Sequence, residues 1–355
     1  MTQILENIII IISMFLLVSF AVLLFIKSED MEVEGFFTDT NTIINSHCSR
    51  IDQDNQEVPS LISLGNDSLS KNPLRNFYIK SAYNSCVLNN FDEDYLDLCA
   101  LKNCIRQGAR FLDFEIYSRN NIPVVAMSSK YDINSTNSLN HLEFHDVVKA
   151  INRNAFSQDI TPNYNDPLIL HFRIMSENTI MYNEMARVIQ TDFNKEYILD
   201  PSYSYNNYKK NICLLPIKKF LGKIIILVSN KISVYENSDL YEYINGLSTS
   251  ENIRLLTDKE TEDFNDSNMK KYNRTNVTMV FPNITNKANN MDSKKHFETG
   301  CQIVGMSFQK SDDNLKEYHS YFKNNNAAFV LKPDNLRYAI DTKTPADINY
   351  LNYRI

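Results

Sequence analysis

From Leu74 onward, short apolar runs alternate with amphipathic stretches. "RFLDFEIY" (110–117) has the period of a strand: Leu112, Phe114 and Ile116 point one way, Asp113 and Glu115 the other. Ahead of it, "DLCALKNCIRQGARF" sets Leu98, Leu101, Cys104 and Ile105 on one helical face, with Gly108 at the stop. After it come "IPVVAM", a helix in "LEFHDVVKAINRNAF" with Phe144, Val147, Val148 and Ile151 on its apolar side, the strand "DPLILHF", the helix "NEMARVIQTDF" and the strand "GKIIILV". A polar interval leads to "ENIRLL", "TMVFP", "CQIVGMSFQ" and "AAFVLKP". Strands alternating with helices predict an α/β fold with a parallel sheet, and about eight such strands predict a (β/α)8 barrel of TIM type.

The N-terminal part reads differently. Ile8–Ile26 is a run of 19 residues without a charge, long enough to cross a bilayer at about 1.5 Å per residue. A cleaved signal peptide would carry Lys or Arg before a shorter run; only Glu6 precedes this one, so an uncleaved single-pass anchor is expected. Lys27, the one basic residue near either end, leans toward a cytoplasmic body. The pattern divides the chain into an anchor (1–27), a polar tether (28–73), two half-barrels (74–230 and 231–340) and a tail (341–355).

Composition narrows the function. The net charge of −7 offers no broad basic surface, so nucleic acid is not an expected partner. Six scattered cysteines, without CxxC or histidines at ligand spacing, are expected to be reduced, packed thiols. Lys218, Lys219 and Lys223 could touch an anionic membrane, although a solvated face is the commoner role. The two carboxylates of "RFLDFEIY" pose the sharper question. Side by side in an apolar strand, they repel each other and lose hydration unless a positive group answers them.

Several stretches resemble phosphoinositide-specific phospholipase C. The resemblance to its X half runs through "LRNFYIKSAYNSCV", "IRQGARFLDFEIYS", "IPVVAMSS", "FHDVVKAI", "PLILHF" and "LGKIIILV"; that to its Y half lies in "GCQIVGMSFQ" and "NNNAAFVLKPDNLR". It implies a barrel that cleaves the phosphodiester of phosphatidylinositol lipids, with two histidines for proton transfer and a calcium ion held by Asn, Glu, Asp and Glu. In this chain the first histidine position is Tyr83 and the second Met127. The calcium positions read Asn84, Asp113, Glu115 and Arg173. The positions of the phosphate-binding lysines are Leu227 and Ser229, and that of the substrate arginine is Met279.

Each lost acid or base removes about 10²–10⁴ in rate, and the lost metal several kcal/mol more. Together with the anchor expected at Ile8–Ile26, the resemblance implies a membrane-anchored pseudoenzyme with no cofactor, calcium being expected only of an active form. Its implied partners are the bilayer, through Ile8–Ile26, and a phosphoinositide headgroup or a protein. The alternatives are an active phosphodiesterase with a rearranged site, using His171 as a relocated base, and a structural membrane protein. His171 and Arg173 share a face of "LILHFR", and Arg173 is expected within about 4 Å of the acid pair, in place of the metal. His141, His145, His296 and His319 are expected on loops or helix surfaces.

Overall fold

A computed structural model describes residues 14, 19, 40–65, 67–128, 135–205, 207, 211–229 and 233–338. The chain divides into two compact units, Met1–Arg50 and Ile51–Ile355. The first is helical over residues 40–50. The expected membrane span lies outside the described residues apart from Met14 and Ser19, as does the tail at 341–355. No helix among the described residues is long and apolar enough to cross a membrane.

The second unit is built on a sheet of eleven strands. In chain order they are β1 (Phe77–Ala82), β2 (Phe111–Arg119), β3 (Ile122–Ala126), β4 (Leu142–Glu143), β5 (Leu168–Met175), β6 (Ile224–Ser229), β7 (Gly246–Leu247), β8 (Ile253–Thr257), β9 (Val277–Phe281), β10 (Ile303–Met306) and β11 (Phe329–Leu331). Eight of them run in the order β7-β6-β5-β2-β1-β10-β9-β8, every neighbouring pair parallel. The ring has a seam between β7 and β8, where Gly246 lets Leu227 and Ile253 close in: a Cβ there would lie 3.0 and 3.3 Å from their methyl carbons. Ile79, Ile169, Ile225, Val277 and Ile303 fill the lower interior around a void of only ≈ 10 Å³.

The helices start where local chemistry satisfies their free N–H groups. Asp97 accepts from Cys99 N (2.8 Å) ahead of Leu98–Arg106, and Asn178 from Ile180 N (3.1 Å) ahead of Thr179–Asp192. Gly108 (φ +79°) ends the first of these. That turn packs so tightly on Leu61 that a Cβ would come within 2.4 Å of its Cδ1.

Two runs expected in the barrel lie outside it. "IPVVAM" forms β3, which turns back antiparallel on β2 through the two-residue loop Asn120-Asn121. Both asparagines have positive φ (51° and 68°), as a type I′ hairpin requires, so turn chemistry overrides the strand-then-helix pattern. "AAFVLKP" forms β11, antiparallel to the start of β1. Their barrel places are taken by β1 and by the two-residue β7, too short for an apolar pattern to reveal.

Part of the expected tether, residues 51–65 and 67–73, packs within the second unit. Within it, Ile51, Leu61 and Leu64 are buried, Leu64 N donates to Asp166 Oδ1 (2.6 Å), and Ile62 N donates to Asn326 O (2.8 Å). A few apolar anchors and backbone hydrogen bonds hold this polar strap down without any periodicity. Cys86, Cys104, Cys213 and Cys301 are buried free thiols, whereas Cys48 and Cys99 are disulfide-bonded. Pairing depends on approach in three dimensions, which spacing along a chain does not encode.

Candidate functional site: a guanidinium in the barrel mouth

The sheet register sets the site. Asp113 lies opposite His171 and Glu115 opposite Arg173 across the β2–β5 pair, while His171 and Arg173 face Leu227 and Ser229 on β6. All these positions share the face that points into the barrel, near the C-terminal ends of the strands.

Arg173 binds both acids. Its Nε donates to Asp113 Oδ1 (3.0 Å) and its Nη2 to Asp113 Oδ2 (2.8 Å), a fork on one carboxylate. Nη1 donates to Glu115 Oε1 (2.6 Å), and Nη2 also to Asn84 Oδ1 (2.5 Å). Arg173 is 2% exposed and both acids are fully buried. Asn84 takes a left-handed conformation (φ +45°), from which its backbone N–H also reaches Asp113 Oδ2 (3.1 Å). Tyr117 Oη and Ser128 N each donate to the other Glu115 oxygen, Oε2, at 2.9 Å.

His171 completes the network. Its Nδ1 contacts Asp113 Oδ1 (2.7 Å) and its Nε2 contacts Ser248 Oγ (2.9 Å). Burial pushes the imidazole below its ordinary pKa against the pull of Asp113, so the ring is neutral at pH 7, with Nδ1–H donating to the carboxylate and Nε2 accepting from the serine. For Asp113, burial raises the pKa, but the Arg173 charge and the His171 hydrogen bond outweigh it and hold the group below the usual carboxylate range. Ser248, His171 and Asp113 follow the contact order of a nucleophile triad. All three are fully buried, so the serine is closed off from solvent in this structure.

Aromatic and apolar side chains close the mouth above. The Tyr83 ring centroid lies 4.8 Å from Arg173 Cζ and that of Phe281 5.8 Å, with the two rings 5.0 Å apart. Met127 and Met279 are fully buried, Leu227 is buried, and Ser229 sits half-buried at the end of β6. The expected site residues therefore converge, with two methionines and a leucine packed where polar groups would have to meet a phosphate.

A calcium ion does not fit this donor set. Asn84 Oδ1 and the facing carboxylate oxygens of Asp113 and Glu115 already accept from the guanidinium, and a second cation would have to displace a fixed positive charge bonded to all three.

Sequence reasoning missed Ser248, Tyr117 and Phe281. Tyr117 follows Asp113 and Glu115 at the same two-residue spacing, a usable signal, whereas Ser248 lies in a turn with no distinguishing pattern. His296, expected on a surface, is 1% exposed, with its Nε2 2.9 Å from Asp258 Oδ1.

Comparisons with known proteins find similar sequences and similar folds. Residues 70–230 match the model of the phosphatidylinositol-specific phospholipase C X domain, and residues 223–335 that of the Y domain. "Inactive phospholipase C-like protein 1" of Mus musculus is 20% identical over 359 residues, covering 87% of this chain. The Homo sapiens protein of that name is 21% identical over 355 residues, covering 86%. The chain spans only 31% and 30% of the length of these relatives. Among solved structures, PLC21 of S. officinalis and PLC21 of L. pealei each superpose with a TM-score of 0.62 at 16% identity, over 78% of this chain and 39% of theirs. At that identity the likeness shows the fold alone.

Proposed function

Because this chain belongs to the phosphatidylinositol-specific phospholipase C family, in both its X and Y domains, we propose that it is a catalytically silent member that acts by binding. The observation that carries this reading is the buried Arg173 guanidinium, bonded to Asp113, Glu115 and Asn84 in the barrel mouth. Catalysis of the family type needs a base, an acid and a counter-charge for the phosphoryl group. Tyr83 and Met127 stand at the histidine positions, and the Arg173 cation in the mouth is held by two carboxylates. The word "inactive" in the names of the mouse and human relatives supports the same reading. On this proposal Ile8–Ile26 anchors the body to a bilayer, and the bound partner is a lipid headgroup or a protein.

The test is hydrolysis of phosphatidylinositol 4,5-bisphosphate by the full chain, with and without calcium. The expected result is no release of inositol phosphate in either condition. Calcium-dependent release, abolished by Asp113→Ala, would establish an active phosphodiesterase instead. A second measurement addresses the guanidinium. Arg173→Glu replaces it with a third carboxylate, and calcium should then bind the variant and raise its unfolding temperature while leaving the native chain unaffected. Equal calcium stabilisation of both proteins would refute the substitution of charge for metal.

A further inference from the structure

Outside the packed barrel interior, at the N-terminal ends of β6 and β7, a cleft of ≈ 590 Å³ lies between the end of helix Thr179–Asp192, the loop that follows it and the segment leading into β6. Lys195, Lys219 and Lys223 line it, with the rings of Tyr203 and Tyr243. The lysine ion pairs among the described residues involve Lys295, Lys316 and Lys323, and none of the three cleft lysines. Lys223 Nζ is steered by a hydrogen bond to the backbone carbonyl of Glu196, and Tyr203 is braced edge-on against Phe220 at 5.9 Å. Two acids share the lining: Asp200, whose Oδ1 accepts from Ser202 N (2.9 Å), and Glu242.

We propose that this cleft binds a phosphorylated polyol, free or as a lipid headgroup. This deepens the reading of the chain as a binding body and rests on it. Three ammonium groups without an ion-pair partner among the described residues suit phosphate oxygens, since lysine approaches phosphate as a point charge from many directions. Tyr203 and Tyr243 add aromatic surface to the lining, which suits the carbon ring of a polyol. The volume is that of a small-molecule site. Lys219 and Lys223, which the sequence left divided between a membrane contact and a solvated face, here converge on one concave surface with a lysine more than twenty residues upstream.

The test uses the full chain in detergent micelles, titrated with two probes. One is soluble inositol hexakisphosphate; the other is dioctanoyl phosphatidylinositol 4,5-bisphosphate. Both should bind, the soluble probe more tightly if the natural ligand is free and the lipid more tightly if it is a headgroup. Lys195→Gln/Lys219→Gln/Lys223→Gln should weaken binding roughly tenfold or more, given the contribution of each lysine near an anionic group. Lys270→Gln/Lys294→Gln removes two charges from a different groove and should leave binding within about twofold of the native chain. Binding of neither probe, an unchanged triple variant, or an equal loss in the control pair would each overturn the proposal. The readout is binding without turnover, so its failure leaves the hydrolysis result standing on its own.

Discussion

Arginine keeps its charge at any pH a cell reaches, and at Arg173 that charge sits where water does not screen it. Two buried carboxylates without it would each lack a counter-charge, and breaking a buried pair from one side costs about 3–5 kcal/mol. Arg173→Leu should therefore lower unfolding free energy by about that amount, read from urea denaturation. Adding Asp113→Asn and Glu115→Gln to the same chain should recover most of the loss, because the remaining groups are then neutral. An Arg173→Leu protein as stable as the native one would show that the acids are answered elsewhere. This pairing was legible from the chain, because two acids at a two-residue spacing on a strand demand a cation and only a few can face them. Tyr117 and Ser248 were not, since their roles arise where separate strands and turns converge.

At the scale of elements, the closed mouth depends on a close approach between strands. Gly305 on β10 faces the rings above Arg173, and a Cβ there would lie 2.8 and 3.0 Å from Phe281 ring carbons and 3.3 Å from Tyr83 Cβ. Neither ring can retreat, since both are buried in the core. Gly305→Ala should cost about 1–3 kcal/mol through overpacking, and Phe281→Leu in the same chain should restore part of it. A thermal denaturation series decides: an alanine variant of unchanged midpoint would mean that the mouth is loosely packed. Long amphipathic helices and apolar strands such as Leu168–Met175 were readable because one element's period is repeated over many residues. The hairpin of β2 and β3 escaped because two asparagines, rather than the apolar pattern, decide it, and β7 because two residues cannot show a period. The barrel's eight-strand count was thus correct for a sheet in which two members differ from those expected.

Across the whole molecule, the buried basic groups give stability a direction with pH. Burial lowers the pKa of His171 and His296, so both are more readily protonated in the unfolded chain. Their contribution is present above the unfolded value of about 6.5 and is lost as pH falls toward their folded values, at up to about 1.4 kcal/mol per pH unit for each group. Lys80 and Lys332 act higher. They bond to the backbone carbonyls of Gln107 (2.6 Å) and Asn273 (2.7 Å), make no ion pair among the described residues, and are lowered by burial to about 7. Their contribution is full above the unfolded value of about 10.4 and falls as pH drops from there to about 7. The thiols oppose this at the alkaline end. Burial raises Cys104 and Cys213 to about 12, so folding loses stability as pH climbs past their unfolded value of about 8.5. Denaturation midpoints measured from pH 5 to 10 should rise through neutrality and turn over near pH 9. Lys80→Met should flatten the rise between pH 7 and 9 while leaving the acid limb in place. A native profile that declines between pH 7 and 9 would mean that water or a counter-charge reaches these lysines in the folded chain.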